Sequence, residues 1–211
     1  DSPAWVPGDT NGVQLDPNVE KIAQVIMPAI METWEAEDDR TAAIEICQSF
    51  ASCLNKCGPG LISPQWIEPT CQLTMQILEK KAPSQIDPEA DEDEETEDSS
   101  EYESVLISAA MDLVGAMAYV LCDSFMTPMR QFLPLLCKYY SPGRSVTDRA
   151  TAIGSLGEIT VNMKRAITPF TQDILAILSH AVGDEDASVR SNAAFAAGVL
   201  IEHSDSDLSQ H

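Results

Sequence analysis

Basic residues are scarce in this chain of 211 residues, which has 12 Lys and Arg against 34 Asp and Glu and a formal net charge of −22. A negative field of that size repels phosphate groups, so it excludes nucleic acid and anionic membrane surfaces as primary partners. The charge instead favours basic proteins as partners.

Sequence motifs of enzymes and metal sites are also missing. The chain has no P-loop, no dinucleotide fingerprint, no Gly-x-Ser-x-Gly elbow, and no CxxC or HExxH spacing that would hold zinc. We therefore expect no catalytic residue, no metal and no cofactor. An enzyme is the least favoured class, because it requires a pocket with perturbed carboxylates that the sequence does not reveal.

The six cysteines lack the turn-rich spacing of a disulfide framework. They fall inside apolar, helix-like stretches, which indicates buried, reduced thiols of a cytosolic or nuclear protein. Residues 1–17 carry acid, proline and glycine where a signal peptide requires a basic region and an apolar run. The chain begins at Asp1 rather than at a methionine, which suggests an excised piece of a longer protein.

One apolar run, residues 105–122, approaches the length of a membrane span. Asp112 lies in its middle, where a carboxylate costs about 2.5–3.5 kcal/mol on membrane-insertion scales, and Glu103 and Asp123 flank the run instead of Lys or Arg. A helix packed between neighbours on most sides explains the same composition. We predict this core helix and no membrane span.

Apolar residues recur every three or four positions along the chain, and no sustained alternation of period two interrupts them. Turn signals at residues 58–60, 141–143 and 183–186 separate the helical stretches. The sequence therefore predicts an all-α protein. The predicted helices span residues 18–34, 39–57, 63–81, 104–122, 126–140, 146–163, 168–182 and 187–203.

An internal repeat relates the second helices of the predicted helical pairs. Residues 149–157 align with residues 190–198 at a shift of 41, with Arg, Ala and Gly at matching positions. Such a period is typical of helical-pair solenoids, in which small residues let adjacent helices approach closely. The register continues at Ala110, which lies 42 residues before Ala152, and at Ala43, a further 67 residues back. Because the second interval is longer than one repeat, the second pair contains an insertion.

The insertion is the acidic run 87–103, which holds eleven acidic residues, no basic residue and half of the net charge. Like charges repel and apolar side chains are too few to offset the chain entropy, so we predict a disordered loop between two helices. The predicted organisation is a leading segment 1–17, helical pairs at 18–57, 61–122, 123–163 and 168–203, an insertion near 83–104, and a tail 204–211.

Prolines recur at one position of the predicted first helices. Pro28, Pro69 and Pro134 fall inside such helices, and Pro169 falls at the start of another. Because proline bends a helix that it does not end, this recurrence predicts bent outer helices rather than domain boundaries.

The 41-residue period, the arginine that opens second helices and the acidic loop within a pair resemble the HEAT repeats of the importin-beta (karyopherin-beta) family. Residues 145–159 and 189–202 carry the most specific likeness. The resemblance implies an α-solenoid, a superhelical stack of four HEAT-type helical pairs, from the carboxy-terminal part of a nuclear import receptor. Such a receptor shuttles between the cytoplasm and the nucleus.

The resemblance also implies the partners of the chain. Receptors of this family carry basic proteins such as histone amino-terminal tails and ribosomal proteins. They contact Phe-Gly nucleoporins in the pore, and they bind Ran-GTP through repeats that lie in other parts of the full-length chain.

Second helices are expected to line an acidic concave surface that holds Lys and Arg side chains of an extended cargo. Relatives in the family use asparagines and acids on these helices. Carried to this chain by position, the candidate cargo-binding residues are Asn192, Glu101, Glu103, Thr151, Ser155, Glu158 and Asn162. For the acidic run, cargo contact or cargo shielding stays open beside simple solubility. Asn192 is alternatively a helix cap.

Other conspicuous residues have structural interpretations. The resemblance implies that Arg149 and Arg190 each reach an acid of a neighbouring repeat, while Asp148 and Asp186 take turn or capping roles. The aromatic residues predicted to lie in the core are Trp34, Trp66, Phe132, Tyr139 and Phe170.

An alternative function is a HEAT-repeat scaffold subunit of an enzyme or chromatin complex, whose acidic groove docks a subunit instead of a transport signal. Ran linkage separates the two functions, because Ran-GTP releases cargo from a receptor and leaves a scaffold unaffected.

Overall fold

The computed structural model describes residues 15–86, 97–141 and 143–207, with side chains for all of these except 97–100. Within these ranges the chain forms α-helices and short 3₁₀ turns and no strand. The predicted all-α fold is therefore confirmed. The helices are α1 Pro17–Ala36, α2 Arg40–Cys57, α3 Pro64–Leu78, α4 Glu97–Leu121, α5 Met126–Tyr139, α6 Val146–Met163, α7 Thr171–Ala181 and α8 Ala187–His203.

The chain divides into two compact units, Asp1–Val120 and Leu121–His211. In the first unit, α1 and α2 each begin after an aspartate whose side chain caps the helix. Asp16 accepts a hydrogen bond from the Asn18 amide and Asp39 accepts one from the Ala42 amide, both at 2.8 Å. Such caps satisfy amide groups that the first helical turn leaves without partners.

Helix α4 supplies much of the core of the first unit. Between Leu106 and Val120 its Leu, Ile, Val and Met side chains are at most 4% exposed, whereas Tyr102 and Val105 nearer its start are exposed. The thiol of Cys71 on α3 lies 3.9 Å from the sulfur of Met117. The helical stretch 101–139 has the length and composition of a membrane span, but 67% of its most apolar window is buried inside the protein. Asp112 is exposed. The apolar run packs as the core helix that the sequence predicts.

The structure differs from the prediction at residues 97–103. These residues were expected to lie in a disordered loop, yet α4 begins at Glu97 and includes them. Carboxylates in the first turns of a helix are stabilised by the helix dipole, and Glu103 accepts a hydrogen bond from Gln85 Nε2 at 2.9 Å. The rest of the predicted loop, residues 87–96, lies outside the described residues.

In the second unit, the second helices α6 and α8 pack directly against each other. Asp186 caps α8, as predicted, by accepting hydrogen bonds from the amides of Ser188 and Val189 at 2.8 and 3.4 Å. For α6 the cap is Ser145, whose hydroxyl oxygen accepts a hydrogen bond from the Asp148 amide at 3.0 Å. Asp148, predicted to take a turn or capping role, lies in the first turn of α6 with its carboxylate 3.9 Å from Arg144 Nη1.

Prolines lie inside the first helices of three pairs, as the sequence predicts: Pro28 in α1, Pro69 in α3 and Pro134 in α5. Pro169 instead lies within a 3₁₀ segment, Lys164–Phe170. That segment precedes α7, so the helix predicted from residue 168 begins three residues later.

Burial agrees with most of the core prediction and corrects two parts of it. Four of the five predicted core aromatics are buried, whereas Trp66 is only half-buried. Cys47 and Cys71 are buried, and loss of hydration raises the pKa of each thiol to about 12. Cys53 is exposed, so the prediction that all six thiols are buried is wrong.

Candidate functional site

The predicted cargo-binding residues lie on three second helices. Glu101 and Glu103 are on α4 in the first unit, and Thr151, Ser155, Glu158, Asn162 and Asn192 are on α6 and α8 in the second unit. Their solvent exposure and hydrogen bonds differ widely, and these differences separate residues that hold the fold from residues that face solvent.

Asn192 joins the two second helices of the second unit. Its Nδ2 donates a 2.8 Å hydrogen bond to the carbonyl oxygen of Ala150 on α6. Gly154 leaves room for this amide, because a Cβ at that glycine would lie 3.1 Å from Asn192 Nδ2. The alternative interpretation of Asn192 as a helix cap is wrong, since Asp186 fills that role.

The four candidates on α6 differ in accessibility. Ser155 is buried at 7% exposure, so little of it is accessible to a partner. Thr151 and Asn162 are half-buried, and Glu158 is exposed. Glu158 is therefore the one of these four candidates that is exposed to solvent.

The two candidates on α4 also behave differently from each other. Glu101 is exposed. Glu103 is half-buried and fastens α4 to the 3₁₀ turn Pro83–Gln85, where Gln85 Nε2 donates to it, and it also lies 3.5 Å from Lys80 Nζ. The structure thus gives Glu103 an anchoring role in addition to its predicted one.

Sequence reasoning missed several exposed residues of the second helices. In the repeat register, the position of Gly154 on α6 corresponds to Phe195 on α8, which lies 41 residues later. The same position corresponds to Asp112 on α4, 42 residues earlier, and to Glu45 on α2, a further 67 residues earlier. Glu45 and Asp112 are exposed, and Phe195 is 49% exposed. The repeat register was the signal that could have identified them.

Arg149 clamps α6 to the turn between α7 and α8. Its Nε and Nη2 donate to the two carboxylate oxygens of Asp184 at 3.1 and 3.0 Å, and Nη2 also donates to Glu185 at 3.3 Å. The predicted reach of this arginine to an acid of the neighbouring pair is confirmed. The guanidinium of Arg149, followed by the Asp186 amide, holds the pKa of Asp184 below its ordinary value of 3.8.

Two other arginines bind backbone oxygens of interhelical turns. Arg190 Nη1 donates to the carbonyls of Asp184 and Glu185 in the turn of its own pair, both at 2.7 Å, and its predicted reach to an acid of another repeat stays a prediction. Arg40, which the sequence prediction overlooked, opens α2 and donates from Nε to the Ser84 carbonyl at 3.0 Å. Both arginines therefore stabilise interhelical turns through hydrogen bonds to carbonyl oxygens.

A metal site finds no support in the part of the chain that the structure describes. No group of three or more His, Cys, Asp or Glu side chains is placed to hold an ion there.

Helical pairs in a 41-residue register, with an arginine that clamps the turn of the next pair, define an α-helical repeat protein of the HEAT type. No family model matches the chain. Over 215 residues it is 33% identical to the probable importin subunit beta-4 of Schizosaccharomyces pombe, an alignment that covers 98% of this chain and 20% of the relative. It is 29% identical to importin-4 of Homo sapiens over 188 residues and to importin-4 of Mus musculus over 202.

These alignments cover 88% and 93% of this chain, and 17% and 18% of the two mammalian proteins. The chain therefore belongs to the importin-beta family, and it spans about one fifth of the length of the relatives that it matches. The predicted fold class, a HEAT-repeat α-solenoid, is confirmed with the family. Its position in the carboxy-terminal part of a receptor stays a prediction.

Proposed function

We propose that the chain is a segment of a nuclear import receptor and that its second helices provide a binding surface for basic protein cargo. Histone amino-terminal tails and ribosomal proteins are the cargo class that we favour. The similarity to importins along almost the whole chain carries the proposal. The net charge of −22 supports it, because a Lys- and Arg-rich partner gains from that field in both affinity and association rate.

Exposed acids on the second helices are the groups that we assign to cargo. Glu158 on α6 and Glu202 on α8 are exposed in the second unit, and Glu45 on α2 and Asp112 on α4 are exposed in the first. Carboxylates accept charge-assisted hydrogen bonds from Lys and Arg side chains. Thr151, Asn162 and Asn192 add half-buried polar groups that we propose bond to the backbone of an extended peptide.

Few positive charges on these helices compete with cargo. Helix α4 has no Lys, Arg or His, and Arg149 and Arg190 are the Lys or Arg residues of α6 and α8. Both arginines are engaged with the turn between α7 and α8. Arg149 is paired with the carboxylates of Asp184 and Glu185, whereas Arg190 is exposed and keeps its positive charge, because its partners are carbonyl oxygens.

Other partners are assigned to the longer receptor. We propose that Ran-GTP binds outside this segment and releases the cargo, and that Phe-Gly nucleoporins carry the receptor through the pore. The protein then moves between the cytoplasm and the nucleus. Release of cargo by Ran-GTP from the full-length protein separates this function from that of a HEAT scaffold.

Charge reversal at Glu158 tests the assignment of the surface. We expect Glu158→Lys to weaken the binding of a histone amino-terminal tail about tenfold at low salt, because a local attraction becomes a repulsion. The matched control is Asp173→Lys, which makes the same change of charge at an exposed position of the first helix α7. Fluorescence titration of a labelled tail measures both affinities, and an equal loss in the two variants would rule out a local role for Glu158.

A further inference from the structure

A short segment after α8, residues 204–206, is bonded to the 3₁₀ segment and the first residue of α7. Ser204 is the C-cap of α8, where the backbone changes from helical to extended, with φ −76° and ψ 135°. Its hydroxyl oxygen lies 2.7 Å from Oγ1 of Thr171, a residue that is only 1% exposed. We call the contacts between residues 204–206 and residues 165–171 the latch.

The hydroxyl proton of Ser204 is committed to the latch. Thr171 Oγ1 donates its own proton to the carbonyl oxygen of Thr168 at 2.9 Å, and a hydroxyl group has only one proton to donate. Ser204 is therefore the donor of the 2.7 Å bond to Thr171. The same hydroxyl oxygen accepts a hydrogen bond from the Ser206 amide at 3.1 Å. The closed latch thus requires Ser204 as a donor.

Two weaker contacts hold the next residue. The Asp205 amide donates to Thr168 Oγ1 at 3.1 Å, and Asp205 Oδ1 lies 3.6 Å from Arg165 Nε. The side chains of Arg165 and Asp205 are 84% and 59% exposed, so water screens this ion pair. The latch is therefore built from a few single bonds near the surface, and such segments open locally while the rest of a domain stays folded.

The sequence around Ser204 has the charge pattern of a substrate for an acid-directed protein kinase. Asp205 follows Ser204 directly, and Asp207 lies three residues after it. Kinases select substrates by complementary charge, and a basic substrate groove favours acids after the acceptor serine. Residues 204–207 lie outside the helices, so once the latch opens they can enter such a groove as an extended peptide.

We propose that Ser204 is a phosphorylation site and that its modification opens the latch. An acid-directed kinase transfers the γ-phosphoryl group of ATP to Ser204 Oγ. A new O–P bond replaces the O–H bond, the bond from the γ-phosphorus to the leaving oxygen of ADP breaks, and the hydroxyl proton passes to the catalytic base of the kinase. The reaction thus removes the proton that Ser204 donates to Thr171. This inference does not depend on the proposed cargo function.

Three effects then oppose closure. Thr171 Oγ1 loses its donor and faces phosphate oxygens, while its own proton is bonded to Thr168. Phosphoserine carries a charge of about −1.5 to −2 at pH 7, and the C-terminal end of α8, with its negative end of the helix dipole, repels that charge. The adjacent carboxylate of Asp205 repels it as well. Phosphorylation therefore traps the open state from which the kinase takes its substrate.

Phosphorylation in vitro tests the site. The 211-residue chain is incubated with ATP and casein kinase 2 as the acid-directed probe, and peptide mass spectrometry follows position 204 separately from Ser100, which has acids at the same two positions. We expect phosphate on Ser204. Asp207→Asn should slow its addition about tenfold, because the acid at the third position is lost. Thr171→Val should speed it about threefold, because the closed latch loses its acceptor.

Hydrogen exchange tests the opening of the latch. We expect the amides of residues 165–171 and 200–206 to exchange about tenfold faster in the phosphorylated chain, and Ser204→Glu to reproduce part of this change. The matched control is Ser179→Glu, which adds the same charge at an exposed position of α7.

Two results would overturn the proposal. An unmodified Ser204 in both the wild type and Thr171→Val would remove the phosphorylation site. A phosphorylated Ser204 with unchanged exchange, or with slower exchange through pairing of the phosphate with Arg165, would mean that modification does not open the latch.

Discussion

Replacement of Gly157 by Leu is expected to destabilise the second unit by at least about 1 kcal/mol. Forcing extra atoms into a packed interface costs about 1–3 kcal/mol and occasionally more, and the better helix propensity of Leu returns less than about 1 kcal/mol. The atoms in the way belong to Phe195, 2.9 Å from the new Cβ, and to Ala196, at 3.3 Å. The urea concentration at the midpoint of unfolding, followed by circular dichroism, measures the effect.

Gly198→Leu is the matched control, because this glycine holds the same repeat position and has open space around it. We expect it to leave the stability of the 211-residue chain unchanged or to raise it by up to about 1 kcal/mol. Combining Gly157→Leu with Phe195→Ala should recover part of the loss, since the smaller side chain vacates the space. Equal effects at the two glycines would mean that α8 does not pack on α6 as described.

Arg149→Ala is expected to lower the melting temperature by several degrees at neutral pH. The side chains of Arg149 and Asp184 are 12% and 7% exposed, so removal of the guanidinium leaves a poorly hydrated carboxylate without its charged partner. The loss also detaches α6 from the turn that precedes α8. Thermal unfolding at pH 7 gives the size of the effect.

The same variant has a defined pH dependence. Arg149 depresses the pKa of Asp184 in the folded state, so the stabilisation is complete above the ordinary value of 3.8 and is lost as the pH falls through the lowered value. The difference in melting temperature between wild type and Arg149→Ala should therefore shrink below about pH 4. Arg190→Ala is the control, because its partners are carbonyl oxygens that do not titrate. A difference for Arg149→Ala that does not change with pH would contradict the assignment.

Much of the fold followed from patterns that belong to single helices. Residues spaced by three and four positions located the helices, and the 41-residue register related α6 to α8 before their packing was known. The start of α4 at Glu97 could not be predicted from such patterns. Its acidic composition is that of a disordered segment, and the features that favour a helix there are the helix dipole and the hydrogen bond from Gln85, which depends on tertiary structure.

The site was less predictable than the fold, because side-chain roles depend on neighbouring helices. The sequence shows that Asn192 can donate a hydrogen bond, but only the packing of α8 on α6 places the Ala150 carbonyl 2.8 Å away. Ser155 and Glu158 lie on one helix, and the neighbours of that helix decide that one is buried and the other exposed. Arg149 was predictable because its role recurs in the family pattern.

The most direct test of the proposed function compares two peptides on the unmodified chain. A labelled histone amino-terminal tail and a charge-matched scrambled peptide are titrated at low and at physiological salt. We predict tighter binding of the native tail, with part of its affinity retained at the higher salt, because hydrogen bonds to second-helix side chains are screened less than long-range attraction. Equal affinities that vanish together as salt rises would contradict the account and leave only a diffuse acidic field.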